Sequence, residues 1–339
     1  MTKPAQIQSR ELRAADYVAG VLGGNRSILA RTITLIESNA PRHAPLAEQV
    51  LKRLLEHPGR SVRVGITGVP GVGKSTFIES LGCLLCKRGK LVAVLAVDPS
   101  SSITRGSILG DKTRMELLSR EPNCFIRPSP AGGTLGGVAR KSRETILACE
   151  AAGFDIVLVE TVGVGQSETT VRSMVDFFLV LMLAGAGDEL QGIKKGIIEL
   201  ADALLITKAD GDNKARAEAA RVEYTHALHY LTPPTAGWRP EVLACSSVEN
   251  RGVTEAWDVV ERFHETGLRA GFFAERRRTQ TLDWFREMLE QELWRTFSRN
   301  PSVTEAFPQI ERDVLDGKIS AAAAVKQLLN KHNHYDPKN

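Results

Sequence analysis

Gly68-Val-Pro-Gly-Val-Gly73-Lys74-Ser75 follows the apolar run Val62-Arg-Val-Gly-Ile-Thr67 and leads into Thr76-Phe-Ile-Glu-Ser-Leu81. A strand, a glycine-rich turn and a helix start in that order predict a phosphate-binding loop: glycines let backbone N–H groups turn inward, and the helix N-terminus adds its dipole. Lys74 then reaches the β- and γ-phosphates, and the Ser75 hydroxyl serves Mg²⁺. The residues expected to hold nucleotide here are Gly68, Val69, Pro70, Gly71, Val72, Gly73, Lys74, Ser75 and Thr76.

Working outward, apolar runs alternate with helical stretches between about 61 and 265. The runs are Val62 to Thr67, Leu91 to Val97, Ile156 to Val159, Phe177 to Leu183, Ala203 to Thr207 and Val242 to Cys245. Near-continuous apolar strands are buried on both faces, so the expected core is an α/β, mostly parallel sheet flanked by helices, with ligands at the strands' carboxyl ends. Residues 1–60 read as a helical extension interrupted at Pro41 and Pro45, and 61–265 as the nucleotide-binding domain. Residues 266–339 read as a helical arm carrying Trp284, Phe285, Met288, Leu289, Leu293, Trp294 and Phe297 at helical spacing. That stripe suits packing on the core or a dimer equally.

The 339 residues are 42% hydrophobic, enough for a substantial core, and 44 Lys and Arg against 40 Asp and Glu leave a charge of +4. So small a surplus gives no nucleic-acid footprint, and Arg276-Arg277-Arg278 reads as a solvated helix face. The N-terminus has no apolar signal segment, and the run from Phe177 to Gly187 is too short to span a bilayer, so a cytoplasmic protein without membrane contact is expected. Five cysteines in such a chain predict no disulfides. Cys83-Leu-Leu-Cys86 lies in the apolar helix after the phosphate loop and reads as core, and neither His226/His229 nor His332/His334 completes a metal-ligand set.

Thr207-Lys208-Ala209-Asp210 closes an apolar strand. An Asp carboxylate there accepts from guanine N1–H and the exocyclic amine together while the Lys stem lies along the base; adenine cannot donate that pair. GTPases usually carry Asn where Thr207 stands; a hydroxyl replaces only part of an amide's bonding, so weaker base affinity is expected. Ser246, Ser247 and Val248, after the final run, fall where a loop backbone meets the base. Glu160-Thr-Val-Gly163 occupies the place of the more familiar Asp-x-x-Gly, so Glu160 either holds a metal-bound water or orients the attacking one. Asp98 is a second candidate for the magnesium sphere and Asp111 a weaker third. Two glycine-rich stretches, 131–137 and 184–195, read as mobile loops at the strand ends; Asp188, Lys194 and Lys195 in the second suit a nucleotide-sensitive contact surface.

Taken together, the phosphate loop, Val97-Asp-Pro-Ser-Ser-Ser102, Glu160-Thr-Val-Gly-Val-Gly-Gln-Ser-Glu168 and Lys208-Ala-Asp210 resemble the methylmalonyl-CoA mutase-associated GTPase chaperones over nearly the whole chain. The resemblance implies a homodimeric P-loop G protein with a C-terminal dimerisation arm. It also implies Mg²⁺-dependent GTP hydrolysis and a methylmalonyl-CoA mutase partner whose adenosylcobalamin loading is gated and which is protected from inactivation. Lys74 and Glu160 are then the catalytic candidates; Ser75, Asp98 and Glu160 the metal candidates; and Asp188 to Lys195 a switch facing the mutase. A P-loop small-molecule kinase and an ATPase accessory to lysine/arginine transport, an older description of some relatives, are the competing readings.

Overall fold

The computed structural model describes residues 12–97, 115–128, 135–161, 167–185 and 196–333. Asp98, Asp111, Asp188, Lys194 and Lys195 lie outside them, as do Gly163 and Gln166. Seven parallel strands form one sheet: β1 Val62–Gly68, β2 Val92–Val97, β3 Cys124–Arg127, β4 Ile156–Thr161, β5 Phe177–Leu183, β6 Ala203–Thr207 and β7 Glu241–Ala244, in the order β3-β2-β4-β1-β5-β6-β7. From β1 the chain crosses to β2 on one side, and from β4 to β5 on the other. The carboxyl ends of β1, β4 and β5 therefore flank the point where the winding reverses, the place where open α/β sheets bind ligands.

Side-chain alternation along each strand builds two cores. Leu95, Val157, Phe178, Val180 and Ile206 point to the face covered by helices Ala14–Leu22, Arg26–Glu37, Ala44–Leu54 and Leu135–Ala151. Val64, Ile66, Leu158, Leu179 and Leu205 point to the face covered by Lys74–Lys87 and Val253–Ala270. The N-terminal helices thus share a core with the sheet. Pro41 starts a single 3₁₀ turn, and Pro45 sits in the first turn of the helix that follows, where its missing N–H costs no hydrogen bond.

Chain up to Arg278 forms one compact unit and chain from Thr279 a second, the boundary falling inside the helix Phe272–Arg299. The second unit continues with helices Pro301–Leu315 and Ala321–Asn333 around Val303, Ile310, Ala324 and Leu328.

Arg276 and Arg277 are not a solvated face. Arg277 donates from Nε to Asp176 Oδ1 at 2.8 Å and from Nη2 to Asp176 Oδ2 at 2.6 Å and the Ser61 carbonyl at 2.7 Å. Arg63 clamps Glu150 in the same way, at 2.8 and 2.7 Å, and Ser61 donates to Glu150 at 2.5 Å. Arg276 contacts the Asp176 carbonyl and Thr235, lies 3.8 Å from Asp202, and places its guanidinium over the rings of Phe263 and Phe272. Asp202 also faces Arg172 and accepts from Thr235 and the Phe178 amide; burial nonetheless raises its pKa above the usual carboxylate range. These residues gather around the amino ends of β1, β5 and β6, opposite the ligand edge.

The five cysteines are free. Burial pushes the Cys86 and Cys245 thiols up to about 11, which keeps them protonated at neutral pH.

Candidate functional site

The phosphate loop leaves β1 at Gly68, whose φ is 152°, and enters the helix Lys74–Lys87 at Gly73, whose φ is 101°. A Cβ on Gly68 would stand 2.6 Å from the Leu181 carbonyl oxygen, so the root of the loop lies against the end of β5 as only glycine allows. Lys74 is 8% exposed and donates from Nζ to the carbonyls of Gly68 at 2.8 Å and Val69 at 3.2 Å, curling over the loop that it closes. Ser75 follows on the first helical turn.

β4 lies beside β1 with Glu160 paired to Ile66, which brings Glu160 to the loop. Ser75 Oγ donates to Glu160 Oε1 at 3.1 Å, and Glu160 is 8% exposed. A hydroxyl and a carboxylate are hard oxygen donors of the kind Mg²⁺ takes alongside its own waters, so the pair fits that ion. Next to it, the Thr67 and Thr161 hydroxyls meet at 2.7 Å, both fully buried, and tie the ends of β1 and β4 together. Neither threonine stands out in the sequence, because Thr is common in strands and the pairing exists only once the strands are adjacent.

At the end of β6, Lys208 turns the chain with φ 54°, an uncommon value for a residue with a Cβ, and Asn213 Nδ2 holds its carbonyl at 2.8 Å. Asp210 emerges beyond that turn and accepts from Ser246 Oγ at 2.6 Å; the same Ser246 oxygen accepts from the Glu249 amide at 3.1 Å. Ser246 is paired by its backbone with Arg251, and the Arg251 guanidinium reaches the Ala209 carbonyl. The Ser247 carbonyl accepts from Ser80 at 3.0 Å, and Val248 is 81% exposed. Thus Asp210 and the Ser246–Val248 loop are brought together, braced by an arginine that no sequence pattern singled out.

The Thr207 hydroxyl lies 2.7 Å from the Val72 carbonyl oxygen and 3.2 Å from that of Met182, and the residue is 3% exposed. Its contacts run to the phosphate loop and the end of β5. The glycine-rich stretch 131–137 differs in part from expectation: Leu135, Gly136 and Gly137 belong to the helix Leu135–Ala151.

The described residues therefore collect Gly68–Thr76, Glu160, Lys208, Asp210 and Ser246–Val248 at one edge of the sheet. Among the described residues no group of three or more His, Cys, Asp and Glu side chains could hold a metal ion, and no helix is long and apolar enough to cross a membrane.

Comparison with known proteins gives the same picture. The family described as methylmalonyl Co-A mutase-associated GTPase MeaB matches residues 29–302. GTPase ArgK of Escherichia coli is 45% identical over 94% of this chain and 96% of its own length, and the probable GTPase Rv1496 of Mycobacterium tuberculosis is 52% identical over 93% and 94%. The mouse mitochondrial methylmalonic aciduria type A homolog is 45% identical over 95% of this chain and 80% of its own. A crystal structure titled LAO/AO transport system kinase superposes with a TM-score of 0.76 at 37% identity, covering 97% of this chain and 99% of that one. Phosphate loop, sheet order and relatives converge: the chain belongs to the methylmalonyl-CoA mutase-associated GTPase family of MeaB and is a P-loop GTPase.

Proposed function

We propose that this GTPase is a chaperone of an adenosylcobalamin-dependent methylmalonyl-CoA mutase, whose cofactor loading it gates and which it protects from inactivation. The family match over residues 29–302, under a description that names association with that mutase, carries the partner assignment. The 3.1 Å contact between Ser75 and Glu160 carries the chemistry, because it sets a carboxylate against the helix turn that follows the phosphate loop.

In this reading the backbone N–H groups of Val69, Gly71, Val72 and Gly73 and the Lys74 ammonium bind the β- and γ-phosphates and stabilise the charge that develops as the terminal phosphoryl leaves. Ser75 and Glu160 hold Mg²⁺, with Asp98 as a further candidate; when bound, the ion supplies charge neutralisation on the phosphate oxygens. Asp210 reads guanine, held in position by the Ser246 hydroxyl, while the Ser246–Val248 backbone borders the base. Asp188, Lys194 and Lys195 present the nucleotide-sensitive surface to the mutase.

A homodimer through the C-terminal unit completes the proposal. Supporting it are Leu289, Leu293, Trp294 and Leu329, all 47% or more exposed, and an apolar groove of about 930 Å³ bounded by Trp294, Phe297, Phe307 and Leu328. A contiguous apolar surface of that kind marks a contact site. Trp294→Asp should halve the mass measured in solution; an unchanged mass sets the arm aside as the interface.

Complex formation tests the partner. Purified mutase should bind the chain with an affinity that differs between GDP and a non-hydrolysable GTP analogue, and equal affinity in both states removes the switch. The name transport system kinase belongs to the superposed protein; a preference for ATP, or a phosphorylated small-molecule product, would move this chain to that reading.

A further inference from the structure

Thr207 is the last residue of β6, paired in register with Leu183 of β5. Its hydroxyl carries one proton, and the Val72 carbonyl at 2.7 Å is the better placed of its two acceptors; the Met182 carbonyl lies at 3.2 Å. Val72 is fully buried inside the phosphate loop, between Gly71 and Gly73. The loop is therefore held at two points on the same side: at its root, where Gly68 lies against the Leu181 carbonyl, and at its crest, where Thr207 holds Val72. A loop of glycines has many conformations to lose on binding an anion, and a fixed carbonyl at 72 orients the neighbouring amides in advance.

Asp210 stands apart from this arrangement. The turn at Lys208 separates it from Thr207, and its carboxylate is held by Ser246 in the loop that follows β7. The two ends of one tetrapeptide thus attach to different structures, Thr207 to the phosphate loop and Asp210 to the Ser246–Val248 loop.

We propose that Thr207 is a positioning residue for the phosphates of GTP and takes no part in the choice of base. The proposal rests on the reading of Gly68–Thr76 as the phosphate site.

Dissociation constants for GTP, GDP, GMP and ITP, measured on the full chain and on Thr207→Val and Thr207→Ser, separate the possibilities. Thr207→Val keeps the shape and removes the hydroxyl. It should weaken GTP and GDP by about five- to tenfold, the worth of one neutral hydrogen bond. GMP, which lacks the β-phosphate, should lose less than about twofold on the same scale, and the ratio of GTP to ITP affinity should stay at the wild-type value. Thr207→Ser retains the donor and should bind all four as wild type does. Thr207→Ala, which places no methyl beside the Val72 carbonyl, must give the same ordering if the valine variant fails to fold. Unchanged GDP affinity, equal losses for GMP and GDP, or a shifted GTP/ITP ratio each overturn the proposal. Failure of the underlying site reading is recognised separately, by wild-type GTP binding and hydrolysis in Lys74→Ala.

Discussion

At the amino ends of β1 and β5 bidentate ion pairs join charged groups, whereas at the carboxyl ends Lys74, Glu160 and Asp210 bond to hydroxyls and backbone carbonyls, alongside the Arg127–Glu37 and Arg251–Glu249 ion pairs. Arg63 grips Glu150, and Arg277 grips Asp176, each with two hydrogen bonds. On the other side, Lys74 donates to the carbonyls of Gly68 and Val69, Glu160 accepts from Ser75, and Asp210 accepts from Ser246. Bidentate ion pairs fix an arrangement for the life of the fold. A hydroxyl or carbonyl partner is the weaker kind, which an arriving phosphate, metal ion or base can displace. The amino-end pairs make a permanent edge, and the contacts around the phosphate loop an exchange edge.

The contrast breaks if function follows the amino ends or stability follows the carboxyl ends. The largest effect expected is at Lys74: Lys74→Ala should lower GTP turnover by about three orders of magnitude, as loss of a charge-stabilising donor does, with little change in melting temperature. Steady-state hydrolysis and calorimetry on the same sample read both. At the opposite edge, Asp176→Ala removes a buried carboxylate that accepts from the partly exposed Arg277 and from the Arg63 amide, and should cost about 3 kcal/mol of stability in denaturant unfolding. A stable Asp176→Ala that binds GTP poorly would reverse the assignment of the two edges.

Asp210→Asn sharpens the picture of the exchange edge. Removal of an ionised acceptor should weaken GTP by about a hundredfold and open the site to xanthine nucleotide, read by competition binding. Unchanged GTP affinity removes Asp210 from the base site.

The smallest effect concerns pH. The His264 ring lies 5.1 Å from Phe273, centroid to centroid, and burial holds its pKa below the usual 6.5, against the opposing pull of Asp176. The unfolded ring accepts a proton in the interval between the folded value and 6.5 while the folded ring resists it. Stability should therefore rise with pH through that interval and be lost as pH falls through it. His264→Gln should flatten the slope of melting temperature between pH 5.5 and 7; an unaltered slope assigns the dependence elsewhere.

Much of the exchange edge is legible in the sequence because its residues are short-range patterns. The glycines, Lys74 and Ser75 are contiguous, and the strand and helix that flank them carry their own apolar signatures. β5 and β6 are read to the residue, Phe177–Leu183 and Ala203–Thr207, since both are buried on two faces. β3 escapes notice: Cys124-Phe-Ile-Arg127 is four residues long and has a single strand partner.

The permanent edge is nearly invisible for a different reason. Arg277 and Asp176 are 101 residues apart in sequence, and a run of three arginines looks solvated until the partner is known. The same distance problem hides the Thr67–Thr161 pair and the service of Thr207 to Val72, 135 residues away. Side chains that bond to backbone carbonyls leave no motif at the acceptor, because every residue type has one.

GTP hydrolysis is joined to a partner enzyme if the rate of the full chain responds to purified methylmalonyl-CoA mutase, measured with and without the mutase and with Lys74→Ala alongside. A slow basal rate should rise on addition of the mutase and fall about a thousandfold in the variant. An unchanged rate together with no complex would contradict that coupling.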